Sequence, residues 1–199
     1  MPIRTRKQVS TIYTRCSGLA TVEWLVAAFA LIATISLAIE ISHWFLLHQH
    51  LTLHAQRAVE HAALVGGKPQ SVYRHLRRHL RPATLRLDYV CVLDAVHDLM
   101  RDFKDPALSR KHGRPMIRHN HLAQQHKRSL AKGWPEGKGA NSHKTIAQAN
   151  VLNVRVIASQ PIALSWLRAV VGPDLEFGLT ASAIMQSPRE DPGHSCAGI

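Results

Sequence analysis

Apolar residues gather in one unbroken run near the start of the chain and recur elsewhere with helix or strand spacing. From Leu19 to Leu47 the sequence reads LATVEWLVAAFALIATISLAIEISHWFLL, and the sixteen residues Trp24–Ile39 separate Glu23 from Glu40 without a charge. With its edges Leu19–Val22 and Ile41–Ser42 the run reaches the roughly 20 residues that cross a hydrocarbon core of about 30 Å. A core helix of a soluble domain would carry a polar stripe. This run carries none between its acids, and it predicts a transmembrane helix over 19–47. The helical pattern then continues: Leu51, Ala55, Ala58, Ala62 and Val65 share one face, while His50, His54, Arg57 and His61 lie on or beside the polar surface. Gly66-Gly67 and then Pro69 stop it, so one helix is expected from about Leu19 to Val65.

Beyond that stop, Val72, Leu76 and Leu80 recur every four residues and predict a second helix over Ser71–Arg81, closed by Pro82. Leu85, Leu87, Tyr89 and Cys91 alternate with Arg86, Asp88 and Val90, as in a strand with one buried face. Leu93–Phe103 fits either a helix or a continuation of that strand. Lys104–Asn150 is rich in Lys, Arg, His, Gln and Gly and poor in apolar residues, and reads as a long basic, flexible loop around its turn-like Gly-Trp-Pro-Glu-Gly-Lys-Gly run. A short helix fits within it at His121–Ala131. Val154, Val156 and Ala158 alternate with Asn153, Arg155 and Ile157 in a strand over Val151–Ser159. Pro161–Val171 connects, as helix or loop around Trp166, to a strand over Phe177–Met185. A polar tail holds Pro188, Pro192 and Cys196. The fold class expected is α+β: a long N-terminal helix, transmembrane in its first half, packed on a small antiparallel sheet.

Charge sets the expected orientation. Arg4, Arg6, Lys7 and Arg15 precede the apolar run with no acid among residues 1–17, which places the leader in the cytoplasm and the chain after the helix outside. The net charge of +12 invites comparison with nucleic-acid binders. Four of those charges belong to the leader, however, and the rest lack aromatic interleaving, so no nucleic-acid partner is expected. Among the cysteines, Cys16 sits in the leader while Cys91 and Cys196 lie beyond the helix, where an oxidising compartment lets them pair. Such a bridge would tie the tail to the core and contribute roughly 2–4 kcal/mol; otherwise they remain two thiols. His112, His119, His121 and His126 lack a nearby cysteine or carboxylate cluster, so no metal and no cofactor is expected. No Gly-x-Ser-x-Gly elbow, His-Glu-x-x-His or telling carboxylate pair is present, so no catalytic residue is assigned and the protein is not expected to be an enzyme.

The junction before the helix reads Arg15-Cys16-Ser17-Gly18-Leu19-Ala20-Thr21-Val22-Glu23-Trp24. A secretory signal would end its apolar stretch with a small-x-small site. Here a small residue, Gly18, instead precedes the stretch, and Glu23 and Trp24 are the fifth and sixth residues counted from Leu19. This arrangement resembles the processing site of type IV prepilins and pseudopilins. The longer run from Arg15 to Val65, with Val-Glu-aromatic and an alanine-rich continuation, resembles the TadE family of tight-adherence (Flp-type) pilus proteins. The resemblance covers roughly residues 13–65. It departs from the family in lacking a proline part-way along the helix, so no kink is expected there.

That resemblance implies cleavage by a prepilin peptidase between Gly18 and Leu19, with the helix retained on the protein. Residues 1–18 are then a cytoplasmic leader, 19–47 a single span of a bacterial inner membrane, and 48–199 a periplasmic domain, with possible passage of the protein into a surface pilus left open. A carboxylate inside a membrane helix is costly unless partnered. Cleavage frees an ammonium on Leu19, and Glu23 of one subunit can pair with that ammonium on another; Glu23 and Trp24 are thus expected to act in subunit assembly. Glu40 lies about 25 Å further along the helix at 1.5 Å per residue, near the opposite interface with His43, Trp44 and His48. The implied role is structural: a minor pilin or pseudopilin acting in pilus biogenesis, adhesion or secretion, with other pilin or pseudopilin subunits and the membrane as partners. The alternative is an unprocessed single-pass accessory or scaffold protein of a bacterial envelope machine.

Overall fold

The structure is a computed structural model that describes residues 10–80, 85–118, 127, 131, 137–191 and 196–198. The helix expected over 121–131, His119, His121, His126, Pro82 and Pro192 therefore lie wholly or largely outside the described residues. The first element, α1 (Ser10–Leu64), is one continuous helix. No proline occurs between Ile3 and Lys68, so nothing in the backbone interrupts it. It begins nine residues earlier than the apolar run does, because Ser10–Gly18 holds no helix breaker apart from Gly18 itself. The chain divides into two units, Met1–Leu46 and Leu47–Ile199.

The second unit is an α+β domain in which the end of α1 packs on a small antiparallel sheet. Leu51, Ala55, Ala58, Val59 and Ala62 are fully buried. Their small side chains allow close approach, and Gln56 on the flank donates to the Ser182 carbonyl at 3.0 Å. Gly66 and Gly67 adopt φ of +98° and +76°, the left-handed conformations that end a helix. Their amides help to close it: the Gly67 amide donates to Ala62 O at 2.8 Å. The Ala63 carbonyl accepts from the amides of Gln186 and Ser187 at 3.1 and 3.0 Å and from the Ser187 hydroxyl at 2.9 Å. A terminal carbonyl that would otherwise lack a partner is thereby satisfied by a segment more than a hundred residues away.

Next comes α2 (Pro69–His79), which starts on a proline at its first turn and buries Val72 and Leu76, with Leu80 buried just beyond. The sheet consists of β1 (Arg86–Val92), β3 (Val151–Pro161), β4 (Asp174–Ile184) and β6 (Cys196–Gly198), in the order β4-β3-β1-β6 and antiparallel throughout. A two-stranded ribbon pairs β2 (Met116–Ile117) with β5 (Arg189–Glu190). Among the described residues four further helices belong to the domain: α3 (Val96–Phe103), α4 (Pro106–His112), α5 (Ile146–Ala149) and α6 (Ser165–Val171). Leu152, Val154 and Val156 of β3 are fully buried. Each such side chain contributes about 1.5–3 kcal/mol relative to exposure.

The strand over 85–91 departs from simple alternation. Leu87 pairs with Ala158 and Tyr89 with Ile157, which leaves Asp88 unpaired in a bulge. An extra residue exchanges the two faces of a strand. Leu87 is buried, but beyond the bulge Val90 and Val92 point inward and Tyr89 is exposed. Leu93–Phe103 resolves as a turn over 93–95 and then α3. Lys104–Asn150 is not wholly loop: α4, β2 and α5 fall within it. Asp105 caps α4 by accepting from the amides of Ala107 and Leu108, both at 2.9 Å, and Thr145 with Gln148 forms a capping box on α5.

Candidate functional site

Within α1, the segment from Thr21 to Leu46 presents apolar side chains around the whole helix: Trp24 is 73% exposed, Phe29 67% and Ile39 65%. Leu25, Val26, Leu31, Ile32 and Ile35 are exposed too, so no single face is turned inward. Two of its hydroxyls bond within the helix. Thr34 donates to Leu31 O at 2.8 Å and Ser42 to Ala38 O at 2.7 Å. A helix that satisfies its backbone polar groups internally and faces its apolar groups out suits a hydrocarbon environment. By length and composition it is a candidate membrane span.

The residues singled out at the junction all fall on this helix. Gly18 and Leu19 lie inside α1, eight and nine residues past its first residue, Ser10. Glu23 is exposed beside Trp24, one turn from Leu19. Glu40 is the single buried position between Thr21 and His50.

In the domain, Cys91 of β1 and Cys196 of β6 stand directly opposite and form a disulfide. The paired positions bring their Cα atoms to 4.0 Å, and the bridge closes a separation of 105 residues. It holds the three-residue β6 against the sheet.

Three carboxylates organise the remaining polar interior. Asp94, between β1 and α3, is buried. Its Oδ2 accepts from Arg189 at 3.2 Å and from the Asn153 amide at 3.3 Å, while Oδ1 accepts from the Lys144 ammonium and from Asn153 Nδ2. Arg189, only 1% exposed, also donates through Nη1 to Ala149 O at 3.0 Å. Burial alone would raise the Asp94 pKa; the Lys144 hydrogen bond and the charges of Arg189 and Lys144 overcome it and hold the carboxyl below its ordinary value. Burial pulls the Arg189 guanidinium below its usual range, against the opposing attraction of Asp94.

Asp102 at the end of α3 is the second anchor. It accepts from the Asn141 side chain at 2.6 Å and from the Ser142 amide and hydroxyl, both at 2.8 Å. Burial again works toward a higher pKa, and these donors bring the net shift below the ordinary carboxyl value. Glu190 is the third, meeting Arg114 at 2.6 Å and Lys68 at 2.8 Å. These carboxylates are fixed anions: Asp102 and Asp94 hold the Asn141–Lys144 segment before α5, and Glu190 ties Lys68 and Arg114 to β5.

The turn around Asp102 has no room for a side chain at Gly139. A Cβ there would stand 2.7 Å from Cγ and 2.8 Å from Cβ of Asp102. Gly139→Ala is expected to destabilise the domain by about 1–3 kcal/mol, as overpacking does. An unfolding midpoint equal to that of the parent protein would refute this.

Asp94, Asp102, Arg189 and Glu190 were not legible in sequence, because their partners lie from about 40 to about 120 residues away and form no local motif. Comparison of the chain with models of protein families, with characterised proteins and with solved structures gives no match.

Proposed function

We propose that this protein is a structural subunit, a TadE-like minor pilin or pseudopilin, processed after Gly18 and acting in the biogenesis, adhesion or secretion role of a tight-adherence pilus. The observation that carries the reading is the apolar surface exposed around the span, with Glu23 at its start. Such a surface demands a covering. Lipid covers it in the precursor. In a fibre the helices of neighbouring subunits replace lipid through close packing. Glu23 supplies the register, since a carboxylate in an apolar bundle is stable only beside a cation, and the ammonium freed on a neighbour's Leu19 provides one. The α+β plan of a long helix on a small antiparallel sheet also agrees in outline with what that resemblance implies. The leader is then cytoplasmic and the domain periplasmic.

The test is the N-terminus of the protein recovered from its native host. A mature chain beginning Leu19-Ala20-Thr21-Val22 is expected, with Glu23→Gln abolishing cross-linking between subunits while the protein still accumulates in the membrane. An intact Met1 would sink the processing claim. The second reading, an unprocessed single-pass scaffold, draws on the continuity of α1 through Gly18 and Leu19. A cut there requires the first turns of the helix to open. Under that reading Gly18 and Glu23 tolerate substitution.

A further inference from the structure

Five histidines form a continuous row across the seam between α1 and α2. On α1, His50, His54, Arg57 and His61 follow the spacing of one helical stripe. On α2, His75 and His79 lie one turn apart with Arg78 beside them. Ring centroids are 4.3 Å apart for His50 and His54, 6.0 Å for His54 and His79, 4.5 Å for His79 and His75, and 5.3 Å for His75 and His61. The groups acting on His54 are His50, His79 and Arg57; those acting on His75 are His79, His61, His54 and Arg78. Partial burial first, and these cations second, lower the pKa of both imidazoles below the ordinary 6.5.

Acids near the row are engaged elsewhere. Glu60 accepts from Gln56 Nε2, which also donates to the Ser182 carbonyl of β4. From β1, which packs on α2, Arg86 and Asp88 pair with each other at 3.7 Å. The neighbouring β6 (Cys196–Gly198) carries only the disulfide cysteine. Among the described residues, no three His, Cys or carboxylate groups are arranged to hold a metal ion. Among the described residues, the charged groups acting on His54 and His75 are all basic, so proton uptake builds positive charge along the row.

We propose that the α1–α2 seam is a docking surface for an acidic peptide segment, bound in mildly acidic medium and released near neutrality. Charge complementarity selects this occupant. With their pKa values held below 6.5, His54 and His75 gain their protons in mildly acidic medium, while Asp and Glu stay ionised to about pH 4, so both partners are charged in the interval between. An imidazolium N–H donating to a carboxylate is a charge-assisted hydrogen bond. A second copy of this chain is a poor source, since it holds 13 acids against 25 Lys and Arg. Its Asp94, Asp102 and Glu190 are, besides, already paired. Binding of the anion raises the imidazole pKa values, and by linkage acidification tightens binding.

The experiment measures anisotropy of a labelled oligo-aspartate with the full chain in uncharged detergent micelles. Affinity is expected to be about tenfold higher at about pH 5.5 than at about pH 7.5, with the ratio falling below about threefold in His54→Gln/His75→Gln. The exposed end positions His50→Gln and His61→Gln are each expected to reduce it by about twofold, which keeps the test informative if the double variant fails to fold. His97→Gln, on α3 and outside the row, retains the full ratio. Equal affinity at the two pH values, or an undiminished ratio in natively folded row variants, overturns the proposal. A histidine-dependent acid response toward phosphatidylglycerol vesicles but not toward oligo-aspartate overturns the peptide assignment in favour of a lipid surface.

Discussion

Arg189→Met is expected to lower the stability of the domain by about 3 kcal/mol, the lower end of the range for breaking a buried ion pair from one side. The guanidinium is almost wholly buried and joins Asp94 to the backbone carbonyl of Ala149. Methionine fills much of the volume but donates nothing, so that carbonyl loses a donor and Asp94 loses one of its two cations. Lys144 remains beside Asp94, and this keeps the cost below the top of the range. For a chain of 199 residues the change reads as a fall of about 6–12 °C in the unfolding midpoint. The double variant Arg189→Met/Asp94→Leu is expected to be more stable than the single one, because no buried carboxylate is then left short of partners. A midpoint for Arg189→Met within experimental error of the parent, or no recovery in the double variant, would reject this account of the core.

Removing the disulfide is the other change with a large expected effect. With Cys91 and Cys196 at a sequence separation of 105, loss of the cross-link costs about 2–5 kcal/mol, through a mechanism that is partly entropic. Cys91→Ala/Cys196→Ala tests this without strong reductant. β6 has only three residues and is held beside β1 by this bridge. Its detachment uncovers the hydrogen-bonding edge of β1, a template for pairing with another chain. Two results are expected together: a lower unfolding midpoint, and faster protease cleavage in the C-terminal tail than elsewhere in the domain. Unchanged proteolysis with an unchanged midpoint would show that strand pairing alone retains the tail.

Much of the helical plan was legible in the sequence because its signals are local. Leu51, Ala55, Ala58 and Ala62 repeat at helical spacing, and all are buried in the domain. Val72, Leu76 and Leu80 do the same for α2. Strand β3 was legible through Val154, Val156 and Ala158, since an alternating pattern survives wherever no residue is inserted. β1 shows the limit: Asp88 enters a bulge, and the side chains that follow change face, which alternation alone does not reveal. β5 and β6 are too short to carry a period. The apolar span could be read from composition, since a candidate membrane span is defined within itself. The Asp94–Arg189 anchor could not, because it exists only after residues 95 positions apart have met.

The closure of α1 at Ala63 also orders events in time. Its last carbonyls receive donors from Gln186 and Ser187, and Glu190 then bonds back to Gly66 through its amide at 3.1 Å. Contacts of such sequence separation form late, after long loops have closed. As the chain emerges from the ribosome, the helix can form early, but its end stays open until Gln186 and Ser187 have followed. A nascent chain stalled before residue 186 would present an unfinished helix end and an uncovered apolar face to whatever escorts it.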